Sequence, residues 1–240
     1  MGLELAEVVG HLTDLHRFPV EPLGGEGPTE ALVRGGGLSG DRLYDVCEEP
    51  RGTALTVSAV PTLLDYTTRC LENPGSGTRE VLTRVKNPAG REFAVSDPEL
   101  AADLSRSLGR KVTIRRREGA ASAAPLHLIS RATFRLAERT YGGPLEPERL
   151  RANLLVEITD GKAFDEDRWI GKKIRIGDSL LEIVGPSSEC IVTAFRPQNP
   201  AGDADLLAGL VHVHGGHLGV SARAISGSRV RIADSVILVE

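Results

Sequence analysis

Over most of this chain, apolar and polar positions alternate in short stretches, the period-2 pattern of strands with one buried face. Leu5 to Leu12, Glu30 to Arg34 and Leu43 to Cys47 read this way. They are set apart by a Gly/Pro-rich loop from Pro19 to Pro28 and by Gly35-Gly36-Gly37. A short helix is expected from Pro61 through Cys70, and a hairpin pairs Arg79 to Lys86 with Arg91 to Val95 around Asn87-Pro88-Ala89-Gly90. Ser96-Asp97-Pro98-Glu99 reads as a helix start, with Ser96 capping, Glu99 completing a capping box and Pro98 in the first turn. Leu100, Leu104 and Leu108 then share one face, and Gly109 stops the helix before a strand from Val112 to Arg117. Arg115-Arg116-Arg117 reads as a charged sheet edge.

Beyond the small-residue run Gly119 to Ala124, Ser130 caps a second helix that ends at Gly142-Gly143. The last hundred residues are rich in strands: Asn153 to Ile158, Lys173 to Ile176, Leu180 to Val184, Cys190 to Phe195, Leu218 to Ile225, Arg229 to Ile232 and Val236 to Val239. Asp203 to Leu210 is a short helix among them. Lys173 to Leu180 and Arg229 to Val236 echo one another as strand, Gly-Asp-type turn and strand, the hairpins from which small β-barrels are made. The fold expected is mainly β with peripheral helices, built as a β-barrel. Residues 1–118 are expected as a β-rich N-terminal part with a small α/β segment. Residues 119–240 are expected as the barrel core, the two packed as one unit.

Composition narrows the function. Aromatics are only 4%, so the core must be Leu, Val, Ile and Ala. A net charge of −4 argues against a nucleic-acid-backbone binder, which needs a clustered positive excess. Three cysteines exclude a disulfide framework and cannot hold an iron–sulfur cluster. No apolar run approaches the roughly 20 residues of a membrane helix, and Met1-Gly2-Leu3-Glu4 lacks a signal-peptide pattern, so a cytoplasmic protein is expected.

There is no phosphate-cradling Walker loop, no Gly-x-Ser-x-Gly and no Cys-x-x-Cys, so the candidates are polar residues where strands end. Cys190 follows Gly185-Pro186-Ser187-Ser188-Glu189 at a loop-to-strand junction; it reads either as a nucleophile or soft metal ligand, or as a buried small hydrophobe. Cys47 and Cys70 lie in apolar periodic segments and read as packing residues. Gly40-Asp41-Arg42 offers a planar donor fork for an anion, or a structural turn. Arg149, Arg151 and Asn153 alternate, which on an extended segment places them on one side, toward a shared anion or toward solvent. His212, His214 and His217 could hold a zinc-type ion, but a short histidine tract in a loop has weak specificity and no nearby carboxylate pattern supports the ion, so the reading without a metal is favoured. In Phe164-Asp165-Glu166-Asp167-Arg168-Trp169 the single Trp is expected to anchor the barrel wall and the acids to face solvent.

Taken in order, these segments resemble the MOSC family, the domain named after the C-terminal part of molybdenum-cofactor sulfurases. The likeness runs through Phe18-Pro19-Val20-Glu21-Pro22-Leu23, Gly37-Leu38-Ser39-Gly40-Asp41-Arg42, Leu55-Thr56 with Pro61, and Leu126-His127-Leu128-Ile129-Ser130. It continues through Arg149-Leu150-Arg151-Ala152-Asn153, Phe164 to Trp169, Cys190-Ile191-Val192-Thr193, and Gly219-Val220 with the last hairpin. The resemblance implies a β-barrel and, from members similar to the amidoxime-reducing components, a molybdenum–pterin cofactor that reduces N-hydroxylated substrates with electrons from an external donor. It implies that Cys190 is a molybdenum ligand and that Asp41, Arg42, Arg151 and Asn153 hold the cofactor. Pyridoxal phosphate is not expected in this domain, and the partners implied are a small-molecule substrate and no nucleic acid or membrane. Other members are proposed to carry sulfur on the cysteine, so the alternative is a molybdenum-independent protein using Cys190 as nucleophile or persulfide carrier in sulfur transfer or C–S chemistry. The sequence departs from the family at three cations: Glu21 stands for a Lys, Ser58 for an Arg, and Glu189 for the Arg before the cysteine. If Glu21 and Glu189 face the site, weak cofactor binding follows, with Cys190 acting alone.

Overall fold

Segments this short bury enough apolar surface only by pairing edge to edge, and the described residues do so in four sheets. The computed structural model describes residues 6–35, 37–57, 59–71, 82–117, 125–145, 147–187 and 214–239. In chain order these residues form β1 (Ala6–Leu15), β2 (Val20–Glu21), β3 (Glu30–Arg34), β4 (Gly37–Leu38), β5 (Tyr44–Glu48), β6 (Thr53–Ala54), β7 (Thr67–Leu71), β8 (Leu82–Lys86), β9 (Glu92–Ala94) and helix α1 (Pro98–Leu108). Then come β10 (Val112–Arg116), β11 (Leu126–Ser130), helices α2 (Arg131–Tyr141) and α3 (Pro147–Leu150), β12 (Leu154–Ile158), β13 (Lys173–Ile176), β14 (Ser179–Pro186), β15 (Val220–Ser226), β16 (Arg229–Arg231) and β17 (Ser235–Val239). Pro61–Asp65 and Asp165–Trp169 are 3₁₀ turns. No helix among the described residues is long and apolar enough to cross a membrane.

The chain divides into two compact units, each discontinuous in sequence. One takes Met1–His16, Gly27–Ser39 and Ser122–Glu240; the other takes Arg17–Glu26 and Gly40–Ala121. In the first, seven strands close a barrel in the order β1-β12-β11-β15-β14-β13-β17. Leu12, Leu128, Val156, Trp169, Ile174, Ile183, Val220 and Val236 share its core. β11 and β12 run parallel, which requires a crossover, and α2 and α3 supply it. Ile129 and Leu155 point the other way, onto Phe134 and Ala137 of α2, so β11 is buried on both faces. A small sheet, β16-β3-β4, completes this unit. In the second unit, Leu100 and Leu104 of α1 pack with Val20, Val46, Phe93 and Val112 from the sheets β10-β5-β2, with β6 added to β5, and β7-β8-β9.

This is the mainly β architecture with peripheral helices and a closed barrel that the alternation predicts, with Trp169 in the barrel core. Four local expectations are corrected. Only Pro61–Asp65 turns, and Thr67–Leu71 is a strand paired with β8. Val60 has no acceptor with which to cap a helix, and β-branched Thr67 and Thr68 favour a pleated backbone. Asp97, not Ser96, caps α1, its carboxylate accepting the Glu99 N–H at 2.9 Å. Pro98 holds the residue before it extended, which is the N-cap conformation. Of the two echoed hairpins, β13 and β14 pair directly, whereas β16 joins β3 and β17 joins β1 and β13. Finally, a division at 118/119 follows sequence order, but β1 and β3 belong with the barrel unit. The expected linker at 119–124, strand at 190–195 and helix at 203–210 lie outside the described residues.

Candidate functional site

In the second unit, Gly40-Asp41-Arg42 forms a buried turn in which Arg42 adopts a left-handed backbone, φ 48°. A non-glycine residue there costs of the order of 1–3 kcal/mol and persists only when its surroundings hold it. Asp41 does the holding: one carboxylate oxygen accepts the Phe18 N–H at 2.7 Å and the other bonds the Arg42 guanidinium. The Arg42 N–H donates to the Phe18 carbonyl at 2.8 Å, and its guanidinium lies 5.8 Å from the Phe18 ring centre. Glu21, where the family carries a cation, places a carboxylate oxygen 3.2 Å from Arg42 Nε. The Arg42 charge, with its side chain only 3% exposed, therefore lies against two acids.

Cys70 lies in the same unit, its Sγ 3.7 Å from the Gly40 carbonyl and its N–H donating to Glu26 at 2.9 Å. Burial pushes the Cys70 thiol up to about 12, and burial likewise raises that of Cys47. Neither supplies thiolate at neutral pH. Cys47 is buried, and Cys70, half-buried, is surrounded by polar groups rather than by the apolar packing expected of it.

In the barrel unit, Arg149, Arg151 and Asn153 are all buried. They do not alternate along a strand: Pro147–Leu150 is helical, Arg151 turns at φ 49°, and β12 begins only at Leu154. The expectation of one shared extended face is corrected, and so is that of solvation. Arg149 stacks over Tyr141, 4.8 Å from the ring centre. Asn153 staples three segments. Its Oδ1 accepts the His127 N–H at 3.0 Å, its Nδ2 donates to the His16 carbonyl at 3.2 Å, and its own carbonyl accepts the His16 N–H at 2.9 Å. The His127 ring nitrogens lie 3.2 Å from the Leu150 carbonyl and 2.8 Å from that of Leu218. Thus Asp41, Arg42 and Glu21 meet in one unit, while Arg149, Arg151 and Asn153 belong to the other. Cys190, Glu189, Ser58 and His212 lie outside the described residues.

The acidic turn departs furthest from expectation. Glu166 is fully buried, its Oε1 accepting the Ser130 N–H at 3.2 Å at the start of α2, and burial raises its pKa. Asp167 reaches two of the three histidines in the tract, with His214 Nε2 at 2.5 Å and His217 Nε2 at 3.8 Å from its Oδ2. The carboxylate judged missing from the histidine tract is thus present, contributed from 47 residues away. Among sequence signals, only the nearness of Asp167 to the anchoring Trp169 hints at it.

The model of the MOSC domain matches residues 106–237. Among solved structures, the YuaD protein from Bacillus subtilis superposes with a TM-score of 0.54 at 14% identity, over 99% of this chain and 99% of its own. YiiM from Geobacillus stearothermophilus aligns at 21% identity over 48% of this chain and 54% of its own, with a TM-score of 0.39. No curated protein matches the chain. With a family match over more than half of its residues and a barrel fold like that of YuaD, this chain belongs to the MOSC domain family.

Proposed function

We propose that this protein is an enzyme that works through the Cys190 thiol in sulfur transfer, as nucleophile and persulfide carrier, without a firmly held molybdenum cofactor. The observation that carries this reading is the Glu21 carboxylate 3.2 Å from Arg42 Nε, with Asp41 on the same guanidinium. An arginine meant to hold a pterin phosphate needs charge to spare, and this one is matched twice. A further anion about 5 Å from either acid would meet a repulsion of about 3 kcal/mol at an effective dielectric constant of 20. The residues of this turn do not fit the cofactor, and the proposed chemistry does not draw on it. Cys47 and Cys70 are set aside by thiol pKa values raised well above neutral pH, which leaves Cys190 of the three cysteines in the chain.

In the proposed step, the Cys190 thiolate attacks the outer sulfur of a small-molecule persulfide, R–S–SH. The donor S–S bond breaks, R–S⁻ leaves, and Cys190 holds the outer sulfur as –S–SH. A nucleophilic acceptor then takes that sulfur and releases the thiolate, with no net oxidation. The second reading is the family's molybdenum-dependent reduction of N-oxygenated substrates, with Cys190 as metal ligand and an external electron donor. It is favoured by the buried, left-handed Arg42 and Arg151, because strained polar residues gather at functional sites.

The deciding experiment uses the full chain from a host that makes molybdopterin. Molybdenum and pterin are quantified, and cyanide-releasable sulfur is measured after exposure to a persulfide. Substoichiometric molybdenum and about one sulfur per chain are expected, the sulfur lost in Cys190→Ser and kept in Cys47→Ser and Cys70→Ser. Glu21→Lys should raise cofactor occupancy roughly tenfold, the equivalent of about 1.4 kcal/mol. Stoichiometric molybdenum in the unaltered chain would establish the oxidoreductase instead.

A further inference from the structure

We propose that Asp167, His214 and His217 form a binding site for a divalent transition-metal ion, zinc by preference. One ligand atom from each of the three side chains lies within 4.8 Å of the other two. Bonds of about 2.0–2.1 Å to a tetrahedral ion put ligand atoms about 3.3 Å apart. The distances of 2.5 Å and 3.8 Å from Asp167 to the two rings bracket that value, and with all three ligand atoms within 4.8 Å the side chains need to close by no more than about 1.5 Å to admit the ion.

The surrounding chain positions these groups. Asp167 sits on the 3₁₀ turn pinned by buried Glu166 and Trp169 on either side. Phe164, itself in a left-handed backbone at φ 70°, stacks on the His214 ring at 3.7 Å and 15°, which fixes the imidazole plane. Gly215 and Gly216 follow at φ 63° and 82°, a backbone open to glycine, and this turn returns the chain so that His217 faces the same carboxylate. The second carboxylate oxygen, Asp167 Oδ1, is buried with no hydrogen-bond partner among the described residues. A metal held by both carboxylate oxygens would relieve that deficit.

The donor set decides the ion. Two imidazoles and one carboxylate suit zinc and its first-row neighbours, whereas calcium and magnesium take all-oxygen sites. The three side chains are 22–26% exposed, which leaves a fourth position for water, the open arrangement of reactive rather than purely structural zinc sites. The site uses none of the residues in the proposed sulfur chemistry, and its fate is independent of that proposal.

The test uses the untagged full chain, stripped with a chelator and titrated with zinc against a chromophoric competitor. Cobalt serves as a spectroscopic stand-in, and iron(II), nickel and magnesium as further arms. One equivalent of zinc is expected, with a tetrahedral cobalt spectrum. Zinc at a hundred times its dissociation constant should raise the unfolding temperature by about 5–10 °C. His214→Ala, His217→Ala and Asp167→Asn should each weaken binding at least tenfold, and the double histidine variant should abolish it, with the far-UV spectra of the metal-free proteins unchanged. His217→Gln provides the same measurement should an alanine variant misfold. Cys190→Ser should keep its equivalent of zinc. A stripped chain that binds no zinc, zinc retained by the double variant, or zinc lost in Cys190→Ser overturns the proposal, and tighter binding of magnesium than of zinc overturns its chemistry.

Discussion

Glu166 shows how far a single side chain can sit from its expected role. In sequence it is the middle of three acids in a turn; in the fold it is fully buried beneath the start of α2, bonded to the Ser130 N–H. Burial raises its pKa above the ordinary value of 4.5, so the folded chain holds this proton more tightly than the unfolded one. Its stabilising contribution is complete below the unfolded value and is lost as pH rises through the folded one. Glu166→Gln keeps the acceptor for Ser130 and removes the ionisation. The unfolding temperature of the variant, relative to the unaltered chain, should therefore climb by a few degrees between acid and neutral pH. A constant difference across that range would show that Glu166 does not titrate in the fold. Glu166→Ala, which leaves a buried donor unpaired, should cost about 1–3 kcal/mol at any pH. Burial holds the Cys47 and Cys70 thiols protonated, but the polar company of Cys70, with Glu26 and the Gly40 carbonyl in reach, was not legible in its sequence neighbours. Nor was the pairing of Glu21 with Arg42, because those residues are 21 positions apart and meet only through a turn.

At the level of elements, starts and stops were the most readable features. Ser130 caps α2, accepting the Thr133 N–H at 3.1 Å, and Gly109 and Gly142 end their helices in left-handed conformations. These signals act within three or four residues, so the local sequence contains them in full. The start of α1 was displaced by one residue, from Ser96 to Asp97, and that difference is measurable. Asp97→Ala should cost about 1 kcal/mol of unfolding free energy, within the 0.5–2 kcal/mol range of N-cap losses, and Ser96→Ala a few tenths at most. Equal losses at the two positions would return the cap to Ser96. The segment after Pro61 was misread because Leu63, Leu64 and Tyr66 satisfy a helical spacing as well as a turn followed by a strand. Only the partner β8 decides between them.

For the whole molecule, the decisive act is closure of the barrel by β1, which pairs with β12 on one side and β17 on the other. Gly10 makes this possible. It lies where the register with β17 shifts, and a Cβ there would run into the backbone carbonyl of Glu157. Gly10→Ala should destabilise the chain by about 1–3 kcal/mol in urea unfolding, whereas Gly143→Ala, with open space around it, should be close to neutral. Equal effects at the two glycines would mean that β1 does not close the barrel this way. The chain's own order of residues was enough to determine its strand-rich character, the end of α1 and the extent of α2, the anchoring Trp169 and the run of motifs that marks a MOSC domain. Each of these depends on residues that are close in sequence or on patterns summed along it. Tertiary structure alone decided that β16 pairs with β3 rather than with β17, that two discontinuous units form, that Arg42 meets Glu21, and that Asp167 meets His214 and His217. An alternating strand is compatible with many partners of nearly equal local merit, and the choice among them is made only when the cores bury their side chains together.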